Sequence, residues 1–306
     1  MNNLTKVMAA PHIHSGRYTA GIMRDVLISL LPATVAGVII FGMRALLVIA
    51  VCLVCSIGFE AVFNLITKKS QTVSDLSAAV TGLLLALNLP ANIPVWQCVV
   101  GSLFAIVVVK CLFGGIGNNL VNPAITARVF MLVAFGSLTT AAFPVDAVAG
   151  ATPLAAEQMP SLMTLFLGNY GGSIGETCTA ALFLGGIYLL ARRVITWHIP
   201  TVFIGTVFVF SYITEGFDLV SALGFTMAGG LFIGAIFMAT DYVTSPFTAW
   251  GKVIFGIGAG FLTCMIRYFG IYPEGVSFAI LFMNILNPYI NRLTRHKIFA
   301  SGGTSL

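Results

Sequence analysis

Residues 119–126 read NLVNPAIT and residues 284–291 read NILNPYIN. Each holds an Asn-x-x-Asn-Pro step inside a long apolar stretch, and the two stand 165 residues apart. A second pair keeps nearly the same spacing: Asp75 in TVSDLSAAVTG and Asp241 in MATDYVTSPFT are 166 residues apart. Two matches at one spacing mark an internal repeat. Proline removes an amide donor and frees a carbonyl, and asparagine can re-satisfy exposed backbone. Each step therefore reads as a kinked or broken helix with a polar face.

The apolar context of these steps extends along the whole chain. Of its 306 residues, 58% are hydrophobic and only 8% are charged. Soluble domains carry about 25% charged residues, so this composition excludes one and predicts an all-α polytopic membrane protein. Ten apolar runs occur, at 25–42, 45–66, 74–90, 95–113, 122–140, 177–193, 198–214, 219–239, 249–269 and 275–291. Runs 74–90 and 275–291 are short, as expected where helices break or tilt. The expected organisation is an N-terminal segment 1–24, a first five-helix repeat 25–140, a loop 141–175, a second five-helix repeat 176–291 and a tail 292–306. Five spans per repeat is an odd number, so the second repeat is inverted. Inverted repeats build sites near the bilayer midplane from broken helices. The N-terminus does not read as a cleavable signal, because its first apolar run contains Pro32 and is long enough to span.

Ten spans place both termini on one side. With that side cytoplasmic, 13 of the 15 Lys and Arg fall there, and only Arg44 and Arg267 lie outside. Basic residues gather in cytoplasmic loops, so the net charge of +5 reports orientation in a lipid bilayer and not a nucleic-acid partner. The loop 141–175 is then external, and it contains no Lys or Arg.

Ionisable groups inside a membrane are expensive and point to function. Asp75 and Asp241 lie near cytoplasmic span ends among hydroxyls, a donor set suited to Na⁺ or to a proton relay. For Asp75, a helix cap is an equally good reading. Glu60 is expected to be interfacial and paired with Lys68 or Lys69. Asn119, Asn122, Asn284 and Asn287 are candidate ligand contacts. The Gly-rich stretches 229–235 and 251–260 read as close helix packing, and Cys52-x-x-Cys55 reads as small packing residues. The four His show no metal-like helical pairing, so no metal is expected.

The stretch DAVAGAT, Asp146–Thr152, resembles the motif D-x-x-[Ser/Thr]-G-A-[Thr/Ser] of membrane flavoproteins, in which the last residue carries FMN as a phosphoester. It departs from that motif at Ala149 and keeps the acceptor hydroxyl of Thr152. With it, the stretches SDLSAAVTGLLLALNLP, NLVNPAITARVF, GSIGETCTAALFLGGIYLL and FMNILNPYINR are similar to the D subunits of Rnf electron-transport complexes. The B subunits of Na⁺-translocating NADH:quinone oxidoreductases share the pattern but have a longer N-terminal region, so length favours the Rnf type. The resemblance covers residues 10–295.

The resemblance implies a bacterial or archaeal cytoplasmic-membrane subunit of an ion-translocating ferredoxin:NAD⁺ oxidoreductase. Covalent FMN would sit on Thr152 at the external face, in a motif with Asp146, Gly150 and Ala151. It also implies a second, non-covalent flavin (riboflavin) in the membrane, with the four asparagines as candidate contacts. Phe143 and Tyr170 could meet the covalent isoalloxazine. Asp75 and Asp241 are candidates for the ion path. A flavin transferase would attach the FMN, and iron–sulfur clusters, a further FMN and the NAD site would belong to partner subunits. Two other classes remain: a small-solute channel with an inverted repeat, and a passive scaffold for redox subunits. A modified external threonine separates both from the redox reading.

Overall fold

A computed structural model describes residues 18–135, 160–168, 170–270 and 275–295. The described residues are helical, and a helix occupies each of the ten apolar runs. In chain order these are α1 Thr19–Phe41, α2 Met43–Ile66, α3 Ser77–Leu87, α4 Val95–Leu103, α5 Pro123–Ala134, a short α6 Leu162–Leu167, α7 Thr179–Ala191, α8 His198–Thr214, α9 Leu219–Met227, α10 Leu231–Ile233, α11 Ala249–Phe269 and α12 Val276–Thr294. α6 lies outside the ten apolar runs.

The runs do not all become full spans. α1, α2 and α11 are long and apolar enough to cross a bilayer, and α9 with α10 and its extension are so only when taken together, across a bend of 65°. α3 has 11 residues, every one of them buried. At 1.5 Å per residue it is about 16 Å long, roughly half of a hydrocarbon core about 30 Å thick.

Backbone polar groups freed at such breaks must be satisfied within the protein. At the end of α3, the Gly175 N–H donates to the Leu87 carbonyl (2.7 Å) and the Ile174 N–H to the Leu89 carbonyl (3.0 Å). At the bend after α9, the Arg267 guanidinium donates to the carbonyls of Phe225 (2.9 Å) and Ala228 (3.0 Å). α4 and α10 each continue into a widened, π-helical stretch, Phe104–Cys111 and Gly234–Met238. There the Gly115 N–H reaches the Lys110 carbonyl and the Ala239 N–H the Gly234 carbonyl. Such widened turns re-aim side chains and are frequent at functional sites.

The Gly-rich stretch 251–260 does what its composition suggests. Gly256 and Gly260, one turn apart on α11, face Val202, Phe203 and Thr206 of α8. A Cβ on Gly260 would stand 2.6 Å from the Thr206 Cβ and 3.1 Å from the Phe203 carbonyl oxygen. Small residues let helix backbones approach where lipid supplies no hydrophobic drive. Gly260→Val therefore forces α8 and α11 apart and destabilises the protein by about 1–3 kcal/mol. The check is thermal unfolding in detergent, where an unchanged midpoint would refute the packing role. All six cysteines are free. The Cys52 thiol lies within hydrogen-bond reach of the Cys98 side chain of α4.

Candidate functional site

The two Asn-Pro steps meet, although their local structures differ. Pro123 sits at the first position of α5, where its missing N–H costs nothing. Asn122 caps that helix, accepting from the N–H groups of Ala124 (3.0 Å) and Ile125 (3.3 Å). Pro288 instead lies inside α12 and leaves the Asn284 carbonyl without its helical donor. With its amide oriented to suit its neighbours, Asn284 accepts from the Asn122 N–H and donates to the Thr244 carbonyl, each at 3.2 Å. The Asn122 Nδ2 donates to the carbonyl of Met238 (3.3 Å) at the end of the π-helical stretch. Asn287 lies one turn further along α12 and accepts from Asn291 (3.0 Å).

Beside this junction is a cavity of about 460 Å³, lined by Ser77, Thr81, Lys110, Asn119, Asn122, Thr240 and Asp241 among apolar residues of α1, α3 and α7 that include Ile22, Met23, Val26, Leu84 and Leu189. Its volume is in the range of small-molecule sites. Asn119 projects a buried Oδ1 that has no hydrogen-bond partner among the described residues. Burial pushes the Asp241 carboxyl up from its ordinary value, against the opposing pull of the Thr244 hydroxyl and two backbone N–H groups.

Two buried ion pairs flank the junction, and both revise the sequence reading. Glu60 does not pair with Lys68 or Lys69. It accepts from Lys110 at 2.9 and 3.0 Å, with both side chains nearly inaccessible. The Lys110 ammonium also donates to the Ser77 hydroxyl (2.6 Å), which donates to Asp75 Oδ1 (2.6 Å). Thr72 donates to Glu60 (2.7 Å) and Asn64 to Thr72 (3.0 Å). Asp75 also accepts from the Ser77 N–H (3.0 Å) and so holds the first turn of α3. The second pair is Arg128 with Glu176, 3.9 Å apart, with Arg128 also donating to Asn88 (2.6 Å). The charge count had put Lys110 and Arg128 on the cytoplasmic side, yet both are buried, as is Glu176.

The structure thus gathers Asn119, Asn122 and Asp241 around one cavity, sets Asn284 against Asn122, and joins Asp75 to the cavity wall through Ser77 and Lys110. Thr152, Asp146, Gly150, Ala151 and Phe143 lie outside the described residues. Tyr170 is buried with Leu165 and Ala228, and its hydroxyl donates to the Glu176 carbonyl (3.1 Å). The residues that sequence reasoning missed are Lys110, Arg128, Glu176 and Asn88. For the two basic residues a signal was available, since Lys110 follows three valines and Arg128 lies within the apolar run 122–140. A further pair, Asp25 with Arg192 (3.3 Å), ties the start of α1 to the end of α7 beside the cavity.

The sequence has relatives of matching length. The chain is 46% identical to the D subunit of the Na⁺-translocating ferredoxin:NAD⁺ oxidoreductase complex of Acetobacterium woodii, over 97% of this chain and 95% of that protein. It is 40% identical to the D subunit of the proton-translocating ferredoxin:NAD⁺ oxidoreductase complex of Clostridium ljungdahlii, over 98% and 97%. It is 37% identical to the D subunit of the ion-translocating oxidoreductase complex of Stutzerimonas stutzeri, over 91% of each. A family model matches residues 6–300, and with these relatives it shows that the chain belongs to the NQR2, RnfD, RnfE family.

Proposed function

We propose that this chain is a flavin-carrying membrane subunit of an ion-translocating ferredoxin:NAD⁺ oxidoreductase complex; the names of its relatives carry the membership of that complex, and the motif at Asp146–Thr152 supports the flavin. Full-length identity of 46% and 40% to two such D subunits supports it over the quinone-reducing relative, the channel and the scaffold. The names of these two relatives differ in the coupled cation, and here it is Na⁺ or H⁺. In the complex, partner subunits carry the iron–sulfur clusters, a further FMN and the NAD site.

Two flavin positions follow. Thr152 supplies a hydroxyl for an FMN phosphoester, with Asp146, Gly150 and Ala151 completing the motif that a flavin transferase reads. The second position is the cavity, and the observation that carries it is the Asn119 Oδ1, buried and without a partner among the described residues. That acceptor matches the imide N–H of an isoalloxazine. Asn122, Ser77 and Thr81 offer further polar contacts along the ring edge, and Ile22, Met23, Leu84 and Leu189 cover its faces. A bound flavin exchanges one or two electrons, and the protein sets its position and field. The side chains themselves keep water off the ring faces and fix the ring edge. Asp241 on the cavity wall and Asp75, linked to it through Ser77 and Lys110, are the proposed ion-path carboxylates.

The chain sits in the cytoplasmic membrane with both termini inside and the loop 141–175 outside. Removing the buried Lys110 and Arg128 from the charge count leaves 11 basic residues on the cytoplasmic side against two, which still supports that orientation. The test of the cavity is flavin released on denaturing the purified complex. Asn119→Leu takes away the acceptor and lowers the released riboflavin relative to the native sequence, while the covalent flavin is unchanged. Full riboflavin content in Asn119→Leu would sink the cavity assignment.

A further inference from the structure

Among the described residues, the cavity wall holds one charged side chain of each sign, Lys110 and Asp241. A lysine near the end of an apolar helix ordinarily extends its ammonium to the interface. Lys110 does not. It belongs to the π-helical stretch Phe104–Cys111, a widened turn that re-aims side chains, and it is only 2% exposed. Its ammonium lies between two groups. On one side is the Ser77 hydroxyl (2.6 Å), itself a cavity residue. On the other is the Glu60 carboxylate (2.9 and 3.0 Å), which belongs to α2 and is not part of the cavity wall. The pair is therefore a buried dipole with its positive end toward the cavity. Thr72 donates to Glu60 (2.7 Å) and Asn64 to Thr72 (3.0 Å), so the negative end is fixed from behind. In an interior of low dielectric, charges held in this way act strongly on a neighbour.

We propose that Lys110 sets the reduction potential of the flavin in the cavity, and that Glu60 limits how much of its charge the ring meets. This rests on the assignment of the cavity to a flavin. A single electron, drawn from reduced ferredoxin and passed on toward NAD⁺ through the partner subunits, adds one negative charge to the ring and breaks no bond. A fixed ammonium beside the cavity favours that added charge, and a carboxylate opposes it. Lys110 therefore raises the potential, and Glu60, standing behind it with the opposite sign, lowers it by less. A merely structural ion pair carries no such signs. Loss of either member would loosen the cavity in the same way.

The experiment is a spectroelectrochemical titration of the assembled complex, with riboflavin counted after denaturation. The cavity couple is the one that disappears in Asn119→Leu. Lys110→Met is expected to lower its potential by about 59 mV or more, equivalent to a tenfold or larger change in a one-electron equilibrium. A unit charge within about 10 Å acts on that scale at an effective dielectric near 20. Glu60→Gln raises the potential, and Lys110→Met/Glu60→Gln falls between the native complex and Lys110→Met. Lys110→Arg keeps the charge and stays near the native value. Shifts of the same sign in both single variants overturn the proposal, as does an unmoved couple at full riboflavin content. If Lys110→Met does not assemble, Glu60→Gln and the double variant decide, and they overturn the proposal unless they move to opposite sides of the native value. If Asn119→Leu removes no couple, the flavin assignment of the cavity fails first, and the proposal fails with it.

Discussion

Thr152→Ala, produced with an active flavin transferase, gives a dark band under ultraviolet light in a denaturing gel, beside a fluorescent band from the native sequence. The expected effect is all or none, because a phosphoester needs the hydroxyl oxygen and alanine offers no substitute. Thr152→Ser keeps an acceptor and keeps fluorescence. In the assembled complex, electron transfer from reduced ferredoxin to NAD⁺ falls to background in the alanine variant if the covalent flavin lies on the electron path. A passive scaffold would leave that rate intact. A dark native band, with the transferase active on another substrate, would remove the covalent flavin and bring the channel and scaffold readings forward. Ala149 is the residue to blame first in that case, since the motif ordinarily holds a hydroxyl there. Ala149→Ser would then restore the band.

Lys110→Met is expected to be the most damaging single change to stability. It leaves the Glu60 carboxylate buried, with Thr72 as its remaining donor, and an uncompensated buried charge costs about 3–5 kcal/mol. The methionine fills most of the lysine volume, so the loss measures charge and not a cavity. Glu60→Gln/Lys110→Met removes both charges and leaves an amide that can still accept from Thr72. It recovers most of the loss, because replacing both members of a buried pair is often close to neutral. Thermal unfolding of the two variants in detergent is the check. A Lys110→Met protein as stable as the native one would mean that the pair is already hydrated.

The helices were readable from the sequence because lipid imposes one strong rule, that apolar residues face outward and backbone bonds close within each segment. That rule located a helix in each of the ten runs; of the two Asn-Pro steps, the first starts α5, whereas Pro288 lies inside a continuous α12. The rule did not give lengths. α3 is as apolar as a span and ends after 11 residues, because Asn88 and Pro90 turn the chain where the Ile174 and Gly175 amides can satisfy it, a contact that no local pattern encodes. The charges were misplaced for a related reason. Lys110 and Arg128 lie near the ends of their apolar runs, where a basic residue ordinarily marks the interface. Only the fold shows Glu60 and Glu176 waiting for them in the interior. The Gly256–Gly260 contact was legible because spacing on one helix face is a local property. Asn122 and Asn284 were legible as residues of interest, while their meeting across α5 and α12 was not.

The 11-residue α3 has a consequence for how the protein is made. A translocon releases a segment into the bilayer when it is about 20 apolar residues long, and α3 is too short to qualify. Its insertion must follow α1 and α2, the neighbours that bury it. Even then its far end stays unfinished, because the amides that close it belong to residues 174 and 175, some 85 positions later in the chain. During synthesis the nascent membrane domain therefore carries open backbone in its interior until the segment ahead of α7 arrives. That interval is when a membrane chaperone or another component of the complex would have most to protect.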